Sequence, residues 1–441
     1  MTNNQKIHFS GLNTLRFFAA YLVVLHHGET IRAKNGLFSL EHFSLFRNGS
    51  LAVSFFFVLS GFLITYLLLF EKENTGDISL KRFYMRRVYR IFPLYYLLVF
   101  VGLVAIPVFL SIVNFDYTMP YDTLTAGAFF LLFLSFVVNP LYGSHLLEPL
   151  WSIGVEEYFY LIWAPLFKFF GNRTNRTRKI NLTDSTMPQN KFGGYDTPNI
   201  VHRTSNIVHS YPLSIIGSMI GVKTLVMLFF YIYSSENQYF NVVKDVLLSL
   251  KFELMAVGGL GAYWLSSVEF IRYLSDASNK FDATKGASNK FDATKEVWFF
   301  KPVAQIIFLT LLASRLFFYN YFIENPNFLF KILFQTPILS IYTEGVLFLW
   351  LILNVSLNPR ALFTLKNPVL EKLGEISYGI YMYQMLVIFA VILFFKKMMI
   401  PLSPLVQTLF FYGIVSVGVL GISWLSKRYF EDYFLKMKGK S

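Results

Sequence analysis

Residues 15–29 read LRFFAAYLVVLHHGE, an apolar stretch with Arg16 near its start and His26 and His27 near its end. Apart from Tyr21, nothing polar stands between Arg16 and His26. At about 100° per residue, a separation of eleven returns His27 to within ~20° of the Arg16 face, ~16 Å further along the axis, whereas His26 is turned by roughly 80° from that face. Imidazole, with an ordinary pKa of about 6.5, is the natural base for taking a proton from a hydroxyl near neutral pH. The helix alone also supports interfacial anchoring, with Arg16 snorkelling toward one membrane face and His27 among the headgroups of the other. Against anchoring stands a cost of roughly 2.5–3.5 kcal/mol for an ionisable group at the centre of a membrane helix, so such a group marks function by default.

Two further stretches carry charge into apolar surroundings. In SLKRFYMRRVYRIFPLYY (79–96), Arg86, Arg87 and Arg90 precede Pro93 and a new apolar run. Spacings of three and four put Arg90 on a face shared with Arg87 and Arg86. Guanidinium groups grip phosphate bidentately, so the cluster suits a phosphate-rich cosubstrate as well as a plain positive-inside signal. In EPLWSIGVEEYFYLIWAP (148–165), Ser152, Glu156 and Tyr160 fall at i, i+4 and i+8 on one stripe, and Glu157 lies off it. A carboxylate there needs a cation, a histidine or a water-filled cavity as partner, and a buried ion pair between helices would also satisfy it. Ser60-Gly61, inside NGSLAVSFFFVLSGFLITYLLLF (48–70), reads as a packing notch that lets helices approach.

Helices must hold these residues inside a bilayer. The 441-residue chain is 55% hydrophobic, 19% aromatic and only 15% charged, with mean hydropathy +0.49. Soluble chains average about 25% charged. Apolar runs recur near the ~20-residue spanning length, so the fold class is all-α, a polytopic integral membrane protein; a β-barrel would show short alternating segments instead. The first apolar run carries Arg16 and no convincing cleavage site, and reads as a retained helix rather than a signal peptide. With no cysteine there is no disulfide, thiolate nucleophile or Cys-bound zinc, and no metal is expected. The net charge of +13 is read as basic cytoplasmic loops beside anionic membrane lipids, not as a nucleic-acid footprint.

Eleven apolar segments can be drawn, at 11–28, 50–70, 88–113, 122–140, 150–170, 212–233, 242–267, 298–319, 332–356, 373–395 and 404–425. Basic loops at 71–90, 171–203, 272–301, 357–372 and 426–441 all fall on one side only if one segment between 90 and 171 fails to cross. The weakest is 150–170, with two glutamates inside it. The expectation is about ten spans, one re-entrant segment and both termini cytoplasmic. Residues 1–441 form a single membrane domain with flexible inserts at 171–211 and 272–297. The second insert contains an exact tandem ASNKFDATK repeat, read as a duplication in a tolerant loop.

With these pieces in order, the chain resembles acyltransferase family three, the integral-membrane O-acyltransferases. Carrying the resemblance are LRFFAAYLVVLHH, FFFVLSGFLIT (55–65), RFYMRRVYRIFPLYY (82–96), WSIGVEEYFYLIWAP (151–165), KFELMAVGGLGAYW (251–264), LGEISYGIYMYQ (373–384) and YFEDYFLK (429–436). The resemblance implies a stand-alone enzyme of the bacterial cytoplasmic membrane. It would move an acyl group, commonly acetyl, from cytoplasmic acetyl-CoA to a hydroxyl of a carbohydrate or lipid-linked glycan. It implies that Arg16 and His27 are the essential pair, that Arg87 and Arg90, with Arg86 nearby, belong to the cytoplasmic arginine motif, and that Trp151, Ser152 and Glu156 belong to the site. Arg86, Arg87 and Arg90 are then expected to meet the CoA phosphates, and Tyr160, on the same stripe, and Tyr378 to give substrate or structural support. Ser54, Tyr158, Lys251 and Gln384 depart from the family's usual aspartate, glutamine, arginine and histidine. For such a reaction His27 is either the base or a transient acyl carrier. Arg16 either stabilises developing charge or holds the donor, and Glu156 either orients His27 or pairs with Arg16. A transporter or flippase is the rival reading, disfavoured because the motifs do not recur in the second half.

Overall fold

The computed structural model describes residue 9 and residues 11–114, 120–143, 145–183, 210–266, 298–325, 327–358, 360–398 and 403–437. Among the described residues the ordered elements are helical, with no strand, and seven helices are long and apolar enough to cross a membrane. The tandem repeat and residues 184–209 lie outside the described residues.

Helix α1 (Leu12–Lys34) is pinned at both ends. It starts at Gly11, whose φ of 79° suits the missing side chain. The Gly11 N–H donates to Glu371 (2.9 Å), and Thr14 donates to the Leu365 carbonyl (2.9 Å). Near the other end Arg32 and Glu29 form a fully buried ion pair at 2.7 Å, with Tyr412 donating to Glu29 and Arg32 to Thr408. Helix α2 (Gly49–Thr75) returns through the centre of the bundle, then α3 (Leu80–Ile112) runs back, with Pro93 inside it and a π turn over Val101–Ala105.

The apolar segment drawn at 122–140 is not one long helix. Residues 122–140 form two short helices instead, α4 (Thr123–Leu131) and α5 (Ser135–Tyr142), each only ~12–14 Å long. Phe133, at φ 59°, turns the chain between them and stacks on Tyr95 at 4.1 Å. Helix α6 (Leu150–Thr183) is continuous, and among the described residues it is not one of the seven helices that are both long and apolar enough to cross. It also carries the polar residues 171–183, placed in a loop by the sequence reading, as a helical extension.

There follow α7 (Ser210–Ile232), α8 (Gln238–Ser249) and α9 (Phe252–Ser266), the last two separated by a break at Leu250-Lys251. Then come α10 (Pro302–Phe317), α11 (Tyr319–Glu324), α12 (Phe328–Gln335), α13 (Pro337–Leu357), α14 (Pro368–Glu375), α15 (Ser377–Met398) and α16 (Pro404–Met437). The tightest crossing is α2 on α9: a Cβ at Gly61 would fall on the Met255 carbonyl, and one at Gly258 on the Val58 carbonyl. The notch read from Ser60-Gly61 is therefore a backbone-to-backbone contact, of the kind small residues permit in membranes.

Candidate functional site

The predicted residues fall into two layers, at different heights along α1 and α6. Arg16 occupies the first. It lies within electrostatic range of Arg90 on α3 and of Glu156 and Tyr160 on α6. Glu156 is the hub: Tyr160 donates to its Oε2 at 2.8 Å, and Arg16, Arg87 and Arg90 all act on it. The Tyr160 hydroxyl also bonds Ser60 of α2. The Arg87 guanidinium lies over Phe83, 4.7 Å from the ring centroid, and 5.7 Å from that of Tyr160. Tyr378 on α15 donates to the Ile91 carbonyl (3.1 Å), fixing α3 against α15 beside Arg90.

No ion pair at direct contact joins Arg16, Arg87 or Arg90 to a carboxylate among the described residues. Arg82 and Arg86 contrast with them: both bond Glu71, at 3.2 and 3.3 Å. The face-sharing of Arg86 with Arg90 did not anticipate that Glu71, at the end of α2, takes Arg86 aside.

The second layer is a cavity of about 350 Å³. His26 and His27 line it from α1, Trp151 from α6 and Tyr381 from α15, with Glu148 on the turn that precedes α6. The helical wheel set the two histidines apart, but both rings reach this cavity, with centroids 5.3 Å apart. His26 is held by a contact between its Nδ1 and the Phe46 carbonyl (3.1 Å). Gly49 makes room for that ring, since a Cβ there would collide with it. His27 Nδ1 is buried without a hydrogen bond, as is Gln384 Oε1 on α15, and Gln384 lies within polar reach of the His27 ring. Ser152 bonds the Tyr381 hydroxyl (2.7 Å), and Trp151 meets Phe57 edge-on at 5.9 Å.

The Ser152–Glu156–Tyr160 stripe therefore serves both layers, Ser152 through Tyr381 at the cavity and Glu156 with Tyr160 among the arginines. Glu148, not Glu156, is the carboxylate within electrostatic reach of both His26 and His27. Sequence reasoning passed over Glu148, Tyr381 and the role of Gln384. Glu148 stands three residues before Trp151, and Gln384 was noted only as a departure from a family pattern. Among the described residues no cluster of His, Asp and Glu could hold a metal ion. Chemically, the arrangement offers guanidinium groups for an anion at one level and an imidazole beside an open, aromatic-walled space at the other.

Comparison with known proteins shows the family of the chain. A family model described as an acyltransferase domain matches residues 9–182 and 285–428. The Bacillus subtilis protein YrhL is 31% identical over 177 residues, 38% of this chain and 25% of its own length. The peptidoglycan O-acetyltransferase OatA of Listeria monocytogenes is 28% identical over 173 residues, covering 38% and 26%. The O-acetyltransferase OatA of Staphylococcus aureus is 29% identical over 174 residues, covering 37% and 25%. The match thus spans about a quarter of the length of these relatives. No solved structure matches the chain.

Proposed function

Because this chain belongs to the acyltransferase 3 family, we propose that it moves an acetyl group from cytoplasmic acetyl-CoA to a hydroxyl of a cell-envelope carbohydrate, free or lipid-linked. The observation that carries the reading is the pairing of layers along one face of α6. Arginines not spent on carboxylates stand at one level and a histidine-lined cavity at the other.

Arg87 and Arg90, with Arg16, are the residues that would hold the donor's phosphates and the polar part of its arm, since their donors are near Glu156 without being bonded to it. Bound there, the thioester supplies an electrophilic carbonyl and a thiolate leaving group. His27 takes the proton from the acceptor hydroxyl as that oxygen attacks the carbonyl; a C–O bond forms, the C–S bond breaks, and the sulfur leaves with the electron pair. Arg16 stands ~16 Å from His27 along the helix axis by backbone rise and is assigned to the donor. Glu156 and Tyr160 set the arginines in place, and Gln384 and Glu148 set the imidazole.

In the membrane we assign ten crossings, to α1, α2, α3, α6, α7, the α8–α9 pair, α10, α13, α15 and α16. The basic ends of α2, α3 and α16 then face the cytoplasm of a bacterial inner membrane, with both termini on that side. The test is purified protein in lipid nanodiscs given labelled acetyl-CoA and a cell-wall glycan. Transfer of label to the glycan is expected, and donor that stays intact with every glycan offered would sink the reading.

A further inference from the structure

The two layers differ in the charge they present, and this bears on which acceptor enters. Resting on the reading of the His27 cavity as the acceptor site, we propose that the acceptor is an uncharged or amine-bearing sugar ring, held against Trp151 by Asn139 and Asp245, and that anionic sugars are excluded.

Part of the cavity lining comes from two elements that the reaction itself does not use. Helix α5 brings Asn139, and α8, which packs on α5, brings Asp245 and Ser249. The break at Leu250-Lys251 separates α8, which contributes to the cavity lining, from α9, which is locked to α2. Asp245 and Glu148 are the carboxylates of the lining, and among the described residues no lysine or arginine lines it. Lys34, Arg47 and Glu41 act on the histidines from farther off without lining the cavity.

Three features then fit one ligand chemistry. Trp151 offers a flat apolar ring of the kind that takes the C–H face of a pyranose. Carboxylates accept from hydroxyl or ammonium groups and repel a uronate or phosphate. The Asn139 amide has a carbonyl oxygen that makes no hydrogen bond within the protein, and an amide can both donate and accept. The volume of about 350 Å³ sits at the lower end of the usual range for ligand pockets, room for one or two sugar rings and not for a long buried chain.

The experiment offers the purified enzyme labelled acetyl-CoA with a matched pair of soluble acceptors, an N-acetylglucosamine disaccharide and a disaccharide bearing a uronate. Acetyl release to water without acceptor is followed alongside, as a readout of donor chemistry alone. At least tenfold preference for the neutral sugar in kcat/KM is expected. Asp245→Asn should shrink that preference at least threefold, and Asn139→Ala should raise the acceptor KM about tenfold with the donor KM unmoved. Donor turnover with equal use of both sugars, or a preference untouched by Asp245→Asn, overturns the inference and leaves the acetyl-transfer reading standing. Absence of donor turnover overturns both. For a variant without turnover, saturation-transfer NMR with the same two sugars decides whether the neutral one binds selectively.

Discussion

The arginine layer and the histidine cavity lie along the same helices, yet they are built on opposite principles. Around Glu156 the side chains are packed and cross-braced: Tyr160 bonds both Glu156 and Ser60, Arg87 rests on Phe83, and Tyr378 ties α15 to α3. Around His27 there is open volume, and polar atoms of His27, Asn139 and Gln384 make no hydrogen bond within the protein. A layer that holds one unvarying partner can be rigid. On the proposed reading, a layer that admits an acceptor and lets a proton move keeps polar atoms in reserve. The family motifs supply the first layer almost entire, whereas the second draws on Glu148, Asn139 and Asp245, which no motif announced.

The comparison can be broken most sharply at its reactive end. His27→Ala should lower transfer by at least ~10²-fold, the range of a lost general base, while the protein still reaches the membrane. Near-normal glycan acetylation by that variant would refute the assignment of the two layers. Next comes the donor end: Arg87→Ala should cost about 1.5–3 kcal/mol of charged hydrogen bonding, or roughly ten- to a hundredfold in kcat/KM for the donor, mostly as KM. A loss confined to the acceptor KM would reverse the two ends. Gln384→Ala, which removes a neutral neighbour of the imidazole, should lower kcat about fivefold with both KM values near wild type, and Gln384→His should restore much of it. The smallest change is expected at Arg86. With its guanidinium on Glu71, Arg86→Ala removes a pair worth under about 1 kcal/mol and should leave the donor KM within about twofold. A tenfold rise would put Arg86 back with Arg87.

Much of the rigid layer was legible because helical periodicity is strict. Ser152, Glu156 and Tyr160 were placed on one stripe by spacing alone, and all three face the site. The same periodicity did not show that His26 also lines the cavity, since a wheel gives the direction of a side chain but not the width of the space it meets. It also could not say which arginine of 86, 87 and 90 finds a carboxylate, because Glu71 arrives from another helix across a turn. The segment at 122–140 looked like a crossing by hydropathy, and only the left-handed turn at Phe133, invisible in an apolar run, divides it. Glu148 was hidden by its company: between Leu147 and Pro149 it reads as the edge of a loop, and its role depends on histidines that come from α1.

The glycine crossing of α2 and α9 has a consequence for metrology inside the bilayer. Because Gly61 meets the Met255 carbonyl and Gly258 the Val58 carbonyl, neither helix can slide past the other by even one residue without a side chain striking backbone. The pair is a depth stop. Ser60, next to Gly61, carries that fixed height to the Tyr160 hydroxyl, and Tyr160 passes it to Glu156. The level of the arginine layer is thus gauged against the protein's own axis rather than against the lipid. A membrane that thickens or thins around the enzyme would leave the distance between its two layers unchanged.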